Sequence, residues 1–203
     1  MTKTIDFIFD FGSPNAYLAY RLLPDLLNRT GANLNIIPCL LGGIFKATGN
    51  QAPMISHGAV KGKLEYTRLE MVRFIKKHRL TEFSLNPNFP VNTLIMMRAA
   101  IAAKELGQLD AYVEAGLKHM WEDGLKMDDP DVFADAMTKA GFDGSGLLEK
   151  TQDPAIKARL AENTSAAVER GVFGVPTFFV GKEMFFGKDS LQALEDELLT
   201  IEP

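Results

Sequence analysis

An extended segment that ends abruptly in Gly12-Ser13-Pro14 constrains the start of this chain more than any other feature. Ile5, Phe7, Phe9 and Phe11 alternate with Asp6, Ile8 and Asp10, the period of a strand with two unlike faces. The alternation stops at Gly12, which permits a tight turn. Ser13 is a preferred N-cap, and Pro14 suits the first helical position, where its missing N–H would have no partner anyway. Tyr17, Leu18, Leu22, Leu23, Leu26 and Leu27 then recur at helical spacing, so the pattern predicts a serine hydroxyl at the start of one helix. Free N–H groups at such an end favour an anion by roughly 0.3–1 kcal/mol, although capping alone would account for Ser13.

A second informative segment lies near the other end. Gly174-Val175-Pro176-Thr177 enters a late strand through an X-Pro bond, a candidate for the cis form found at about 5–6% of such bonds in folded proteins. The order of elements joins the two segments. A strand, a helix and a second strand (34–37) open the chain. Thr177 to Val180, a Gly181-Lys182 turn, Met184 to Phe186 and a helix from Ser190 close it. Strand-helix-strand followed much later by strand-strand-helix is the thioredoxin order. From about residue 61 to 170 every segment reads as helix, so the predicted class is α/β: a thioredoxin-like fold with a large all-helical insertion. The expected division is 1–60 and 171–203 for the thioredoxin-like domain and 61–170 for the inserted helical domain.

Composition narrows the chemistry. With 203 residues and 46% hydrophobic content the chain can bury a sizeable core. A net charge of −4 argues against general nucleic-acid binding. No apolar run approaches membrane-spanning length, and Asp6 and Asp10 interrupt the one early apolar stretch, so a cytoplasmic protein without signal or membrane contact is expected. His57, His78 and His119 show no ligand spacing, and no metal is expected. Thioredoxin relatives that exchange disulfides carry Cys-x-x-Cys at the first helix, whereas here that stretch is Ser13-Pro14-Asn15-Ala16. The single cysteine, Cys39, stands between Pro38 and Leu40 and reads as a small buried hydrophobe, which excludes dithiol redox chemistry by this chain alone.

The run Phe9-Asp10-Phe11-Gly12-Ser13-Pro14-Asn15-Ala16-Tyr17-Leu18-Ala19, the Gly-Val-Pro-Thr segment at 174–177 and Met184-Phe185-Phe186-Gly187-Lys188-Asp189 together resemble the 2-hydroxychromene-2-carboxylate isomerases and the related kappa-class glutathione transferases. Gly42-Gly43-Ile44-Phe45-Lys46 and Gly49-Asn50, read as a loop after the second strand, extend the likeness, which spans nearly the whole chain. The resemblance implies a DsbA-like thioredoxin fold, glutathione as cofactor, a small aromatic substrate and a homodimer. It implies that Ser13 is the catalytic residue, donating a hydrogen bond to the glutathione sulfur rather than acting as a nucleophile. Glutathione would be held by Ser13, Asn50, Val175, Pro176, Gly187, Lys188 and Asp189, with the backbone of Val175 free to pair with the tripeptide as an added strand. Asp189 would face the γ-glutamyl end, and Asp189 with Gln192 also reads as a capping box. At Lys188 this chain departs from many relatives, which have Asn or Ser there.

Substrate contacts are expected from Lys46 and from Asn92, the latter heading a helix from Thr93 to Ala103. Residues 61–79 hold seven Lys/Arg against two Glu. Such an excess is usually one solvated helix face, although Lys61, Lys63 or Arg68 at the mouth of a site would attract a carboxylate. Tyr66, Phe74, Phe89 and Trp121, and Met96, Met97, Met120 and Met127, read first as core and second as an aromatic-substrate pocket. Reversible conjugate addition of a thiolate, allowing rotation about a double bond, is the activity implied. A conjugating transferase and a non-catalytic binding module are the alternatives.

Overall fold

In the computed structural model, which describes residues 2–200, β1 (Thr4–Phe9) is the strand that the alternation predicts, and its Ile5, Phe7 and Phe9 are fully buried. It ends earlier than expected, so that Phe11 lies in the turn while remaining fully buried. The predicted single helix is two: α1 (Pro14–Tyr20) and α2 (Leu23–Thr30). Pro24 sits in the first turn of α2, where its missing N–H costs no helical hydrogen bond, and it marks the restart. β2 (Asn33–Pro38) follows and pairs with β1 in parallel, as a strand-helix-strand crossover requires.

The segment read as a loop after β2 is instead mostly helical, with α3 (Leu41–Thr48) and the short α4 (Pro53–Ser56). Its glycines hid this: Gly42 and Gly43 lie in the first turn, where the penalty for glycine is least felt, and Gly49 caps the end at φ 70°. The inserted region supplies α5 (Lys63–His78), α6 (Leu94–Glu105), α7 (Leu109–Trp121), α8 (Pro130–Lys139), α9 (Gly144–Lys150) and α10 (Pro154–Glu169). It is not helical throughout. Residues 79–93 are irregular and contain a cis Phe89-Pro90 bond. The buried Asn86 amide secures them by donating 2.8 Å bonds to the carbonyls of Met120 and Leu125. The chain returns through β3 (Thr177–Val180), β4 (Glu183–Phe186), a 3-10 turn at Lys188–Ser190 and α11 (Leu191–Leu199).

The sheet order is β2-β1-β3-β4, with β3 and β4 antiparallel to their neighbours, which is the thioredoxin arrangement. One core runs from the sheet into the inserted helices. Phe7 stacks on Phe178 at 5.1 Å, Phe9 meets Phe11 edge-on at 4.7 Å, and Phe11 meets Tyr112 of α7 at 5.8 Å. Each buried phenylalanine contributes on the order of 1.5–3 kcal/mol relative to exposure. Trp121 donates from Nε1 to the Phe11 carbonyl at 2.9 Å, so this indole is a structural clamp on the turn before Ser13. Met96, Met97, Met120 and Met127 are likewise fully buried. On the other sheet face Ile8 and Phe179 pack with Cys39, Ile44 of α3 and Ala167 of α10.

The contact between insertion and turn leaves no slack at Gly116 of α7. A Cβ there would lie 2.5 and 2.7 Å from ring carbons of Phe11. Gly116→Ala is therefore expected to destabilise the protein by about 1–3 kcal/mol through overpacking. A chemical denaturation midpoint equal to that of the wild type would show that the Phe11 ring yields freely.

Candidate active site

Three stretches of chain converge on Ser13. The first is the turn itself. Ser13 has an extended backbone, and its Oγ accepts from the Ala16 N–H at 3.2 Å, the capping bond that the sequence predicts. The second is the loop before β3, where the Val175-Pro176 bond is cis and the Val175 carbonyl accepts from the Ser13 hydroxyl at 3.0 Å. The expectation that both backbone groups of Val175 stand free thus holds for one of them. Its carbonyl is engaged by Ser13, while its N–H has no partner among the described residues. The third is the 187–190 turn, tied to the proline loop by the Gly187 N–H donating to the Pro176 carbonyl at 2.9 Å. Gly187 takes φ 85°, a conformation that side chains disfavour.

Beneath the turn lies a group that the sequence reading did not single out. Asp10 is fully buried, and its carboxylate accepts from the Gly12 N–H at 2.8 Å, the Leu41 N–H at 2.7 Å and the Thr93 hydroxyl at 2.7 Å. One side chain thereby fastens the active turn, the start of α3 and the start of α6. Burial pushes its carboxyl above the ordinary aspartate value, and the three donors draw it partly back. The available signal was an acidic residue at the end of a strand otherwise headed into the core.

Around this centre the remaining candidates fall at different distances in the architecture. Asn50, exposed just past α3, donates from Nδ2 to the Phe173 carbonyl at 2.7 Å and so borders the proline loop. Lys46 is exposed in the last turn of α3, more than one helical turn beyond Leu41, and its ammonium has no hydrogen bond among the described residues. Asn92 is exposed, with its side-chain Oδ1 accepting from the Leu94 N–H at 3.0 Å. It does not head the helix as predicted, because Thr93 is the N-cap of α6.

The largest departure concerns Lys188 and Asp189. No capping box forms: Ser190 is the residue before α11, Gln192 donates to Asp196, and the Asp189 carboxylate turns to Lys188 at 2.9 Å. Lys188 is buried, with only 2% of its side chain exposed. Its ammonium also meets Glu70 of α5 at 2.7 Å and the face of the Phe74 ring at 4.6 Å. The cation found from sequence alone is thus an internal tie between the turn and the insertion. Lys61 and Lys63 are exposed at the start of α5 and Arg68 lies along it, as a solvated face predicts. Cys39 packs with Ile8, Ile44 and Phe179 on the other sheet face. Burial, with help from the Asp10 charge, pushes its thiol up to about 12, so it carries no thiolate at neutral pH.

A buried hydroxyl beside an unpartnered strand-like N–H suits an extended, peptide-like ligand. The chain matches the family model of the DSBA-like thioredoxin domain over residues 4–199. It is 33% identical to the 2-hydroxychromene-2-carboxylate isomerase of Sphingobium xenophagum, across 98% of this chain and 100% of that protein. The chain belongs to this DsbA-like family of 2-hydroxychromene-2-carboxylate isomerases. A solved 2-hydroxychromene-2-carboxylate isomerase superposes with TM-score 0.81 at 32% identity, covering 96% of this chain and 94% of that one. The human glutathione S-transferase kappa 1 is 27% identical over 96% of this chain and 90% of its own length, so the isomerase family and the kappa transferases share one scaffold. A probable DsbA oxidoreductase from Streptomyces coelicolor, with TM-score 0.70 at 16% identity, shares the fold. Among the described residues no helix of this family member is long and apolar enough to cross a membrane, and no cluster of side chains is suited to a metal ion.

Proposed function

We propose that the chain is a glutathione-dependent isomerase converting 2-hydroxychromene-2-carboxylate-like aromatic compounds to trans-benzylidenepyruvates. The observation that carries this reading is the buried Ser13 hydroxyl, 3.0 Å from the carbonyl of a cis-proline loop, in a chain whose own thiol lies elsewhere and is held neutral. Both hydrogen-bond partners of the hydroxyl are backbone groups, so no general base makes it a nucleophile. Glutathione, when bound, would supply a thiolate whose reversible addition to the conjugated substrate leaves a rotatable single bond until the thiolate departs.

The chain's part is to hold and ionise that thiol. Ser13 turns its hydroxyl from the Val175 carbonyl to the sulfur and favours the charged form by a charge-assisted hydrogen bond. With only seven residues, α1 has a small dipole, so the hydroxyl carries most of this work. Val175 then offers both backbone groups to an extended peptide beside Pro176. Asn50, which borders the loop, and the 187–189 turn, tied to it through Gly187, would hold the rest of the tripeptide. Lys46 is an uncommitted cation for the substrate carboxylate, with Asn92 beside the Asp10–Thr93 contact. Assembly as a homodimer rests on the family resemblance.

The kappa transferases among the relatives support one other reading, in which a stable conjugate is released. Turnover of the chromene carboxylate followed by absorbance, with free thiol titrated before and after, separates the possibilities. Product formed over many cycles at constant glutathione is the expected result. Consumption of one glutathione per product would make the protein a transferase, and a failure to bind glutathione would leave a binding module on a thioredoxin scaffold.

A further inference from the structure

Lys188 holds more negative charge than it needs. A buried ammonium is costly unless paired, and one carboxylate suffices to neutralise it. Here there are two: Glu70 at 2.7 Å, from the inserted helix α5, and Asp189 at 2.9 Å, from the turn itself. The two are not equally placed, since the Glu70 side chain is 35% exposed and that of Asp189 is 70% exposed. The trio therefore carries one surplus negative charge, and the more accessible bearer of it is Asp189. Without Glu70, the Lys188–Asp189 pair would be neutral, and a cation approaching Asp189 would meet the lysine's repulsion undiminished.

The surroundings do not cancel the surplus. A cavity of about 320 Å³ opens beside the trio between α2, α5 and α11. Arg29 on its wall is committed to Glu195 through bonds of 2.6 and 2.8 Å. Lys77 of α5 and Asp25 of α2 also line it with opposite charges, and burial, with Lys77 and Lys188, lowers the His78 pKa below its ordinary value.

We propose that Glu70 is a specificity-determining residue: by neutralising Lys188 it frees the Asp189 carboxylate to select a thiol that bears an ammonium group. This inference rests on glutathione being the borrowed thiol, and it assigns the preference for the γ-glutamyl amine to a side chain of the insertion. Glu70 needs no contact with the ligand for this.

Calorimetry with two probes tests it: glutathione and its desamino analogue glutaryl-cysteinyl-glycine, which differ in the ammonium alone. The wild type should prefer glutathione by roughly tenfold. Glu70→Gln, isosteric at a partly exposed position, should erase most of that preference by weakening glutathione without weakening the analogue. Asp189→Asn should lose the same preference. Adding Lys188→Met to Glu70→Gln should restore it, because Asp189 is again uncompensated. Equal weakening of both probes in Glu70→Gln, or unchanged glutathione affinity, would overturn the proposal. So would a wild type that binds both probes alike, whereas a wild type that binds neither removes the glutathione reading and this inference with it.

Discussion

Ser13→Ala is expected to lower the glutathione-dependent rate at neutral pH by about 10²-fold, the loss typical of removing one donor aimed at a developing anion. The hydroxyl also caps α1 and bonds the Val175 carbonyl, so stability should fall by roughly 0.5–2 kcal/mol, too little to unfold the chain. The two effects separate by pH. In the wild type the bound thiol ionises below its ordinary range because the Ser13 hydrogen bond favours the charged form. In the variant the rate should therefore titrate toward the unperturbed thiol value of about 8.5, and part of the loss should be recovered in alkali. Ser13→Thr, which keeps a hydroxyl, should retain more activity than the alanine variant. Thiolate absorbance of the bound tripeptide against pH is the direct measurement. An identical titration in wild type and Ser13→Ala would remove thiolate stabilisation from the role of this residue.

The site's two principal segments were legible in the sequence because each rests on local chemistry. Gly12-Ser13-Pro14 is a turn, a cap and a first helical residue in succession, and β1 shows its burial in simple alternation. The order of elements then brings Val175-Pro176 to Ser13 without further information. What the sequence hid depends on contacts between residues far apart in the chain. Lys188 stands by resemblance among the glutathione contacts until Glu70, 118 positions earlier, and the ring of Phe74 are seen around it. Asp189 and Gln192 have capping-box spacing, but the buried ammonium next door claims the carboxylate, and a strong ionic partner outcompetes a backbone N–H. The misread helix boundaries have local causes. Pro24 divides what spacing alone shows as one helix, and glycines at both ends of α3 disguise it as a loop. Residues 79–93 are held by the Asn86 amide rather than by any repeating pattern, which is why periodicity failed there.

Asp10→Ala should be the most damaging single change for stability, at about 3–5 kcal/mol. It strands three buried donors at once: the Gly12 N–H, the Leu41 N–H and the Thr93 hydroxyl. Each orphaned group costs on the order of 1–3 kcal/mol, and the total is less than their sum because the site relaxes and admits water. Asp10→Asn should cost less. An amide oxygen in the Oδ1 position keeps the Gly12 and Thr93 bonds, and only the Leu41 N–H then faces an NH₂ group. The pH dependence has a definite sign. Burial raises the folded carboxyl above the ordinary 3.8, so above that value the folded state holds a proton that the unfolded state has released. The contribution of Asp10 to stability is therefore greatest in acid and declines as pH rises from the ordinary value through the raised one. Because asparagine does not titrate, the penalty of Asp10→Asn measured by urea denaturation should shrink over the same interval. A penalty that grows with pH would mean that the three donors outweigh burial and that the carboxylate is the favoured buried form. In either case the activity of the variants should fall with the order of the turn, since Gly12 and the starts of α3 and α6 that frame Ser13 are all fastened to this one carboxylate.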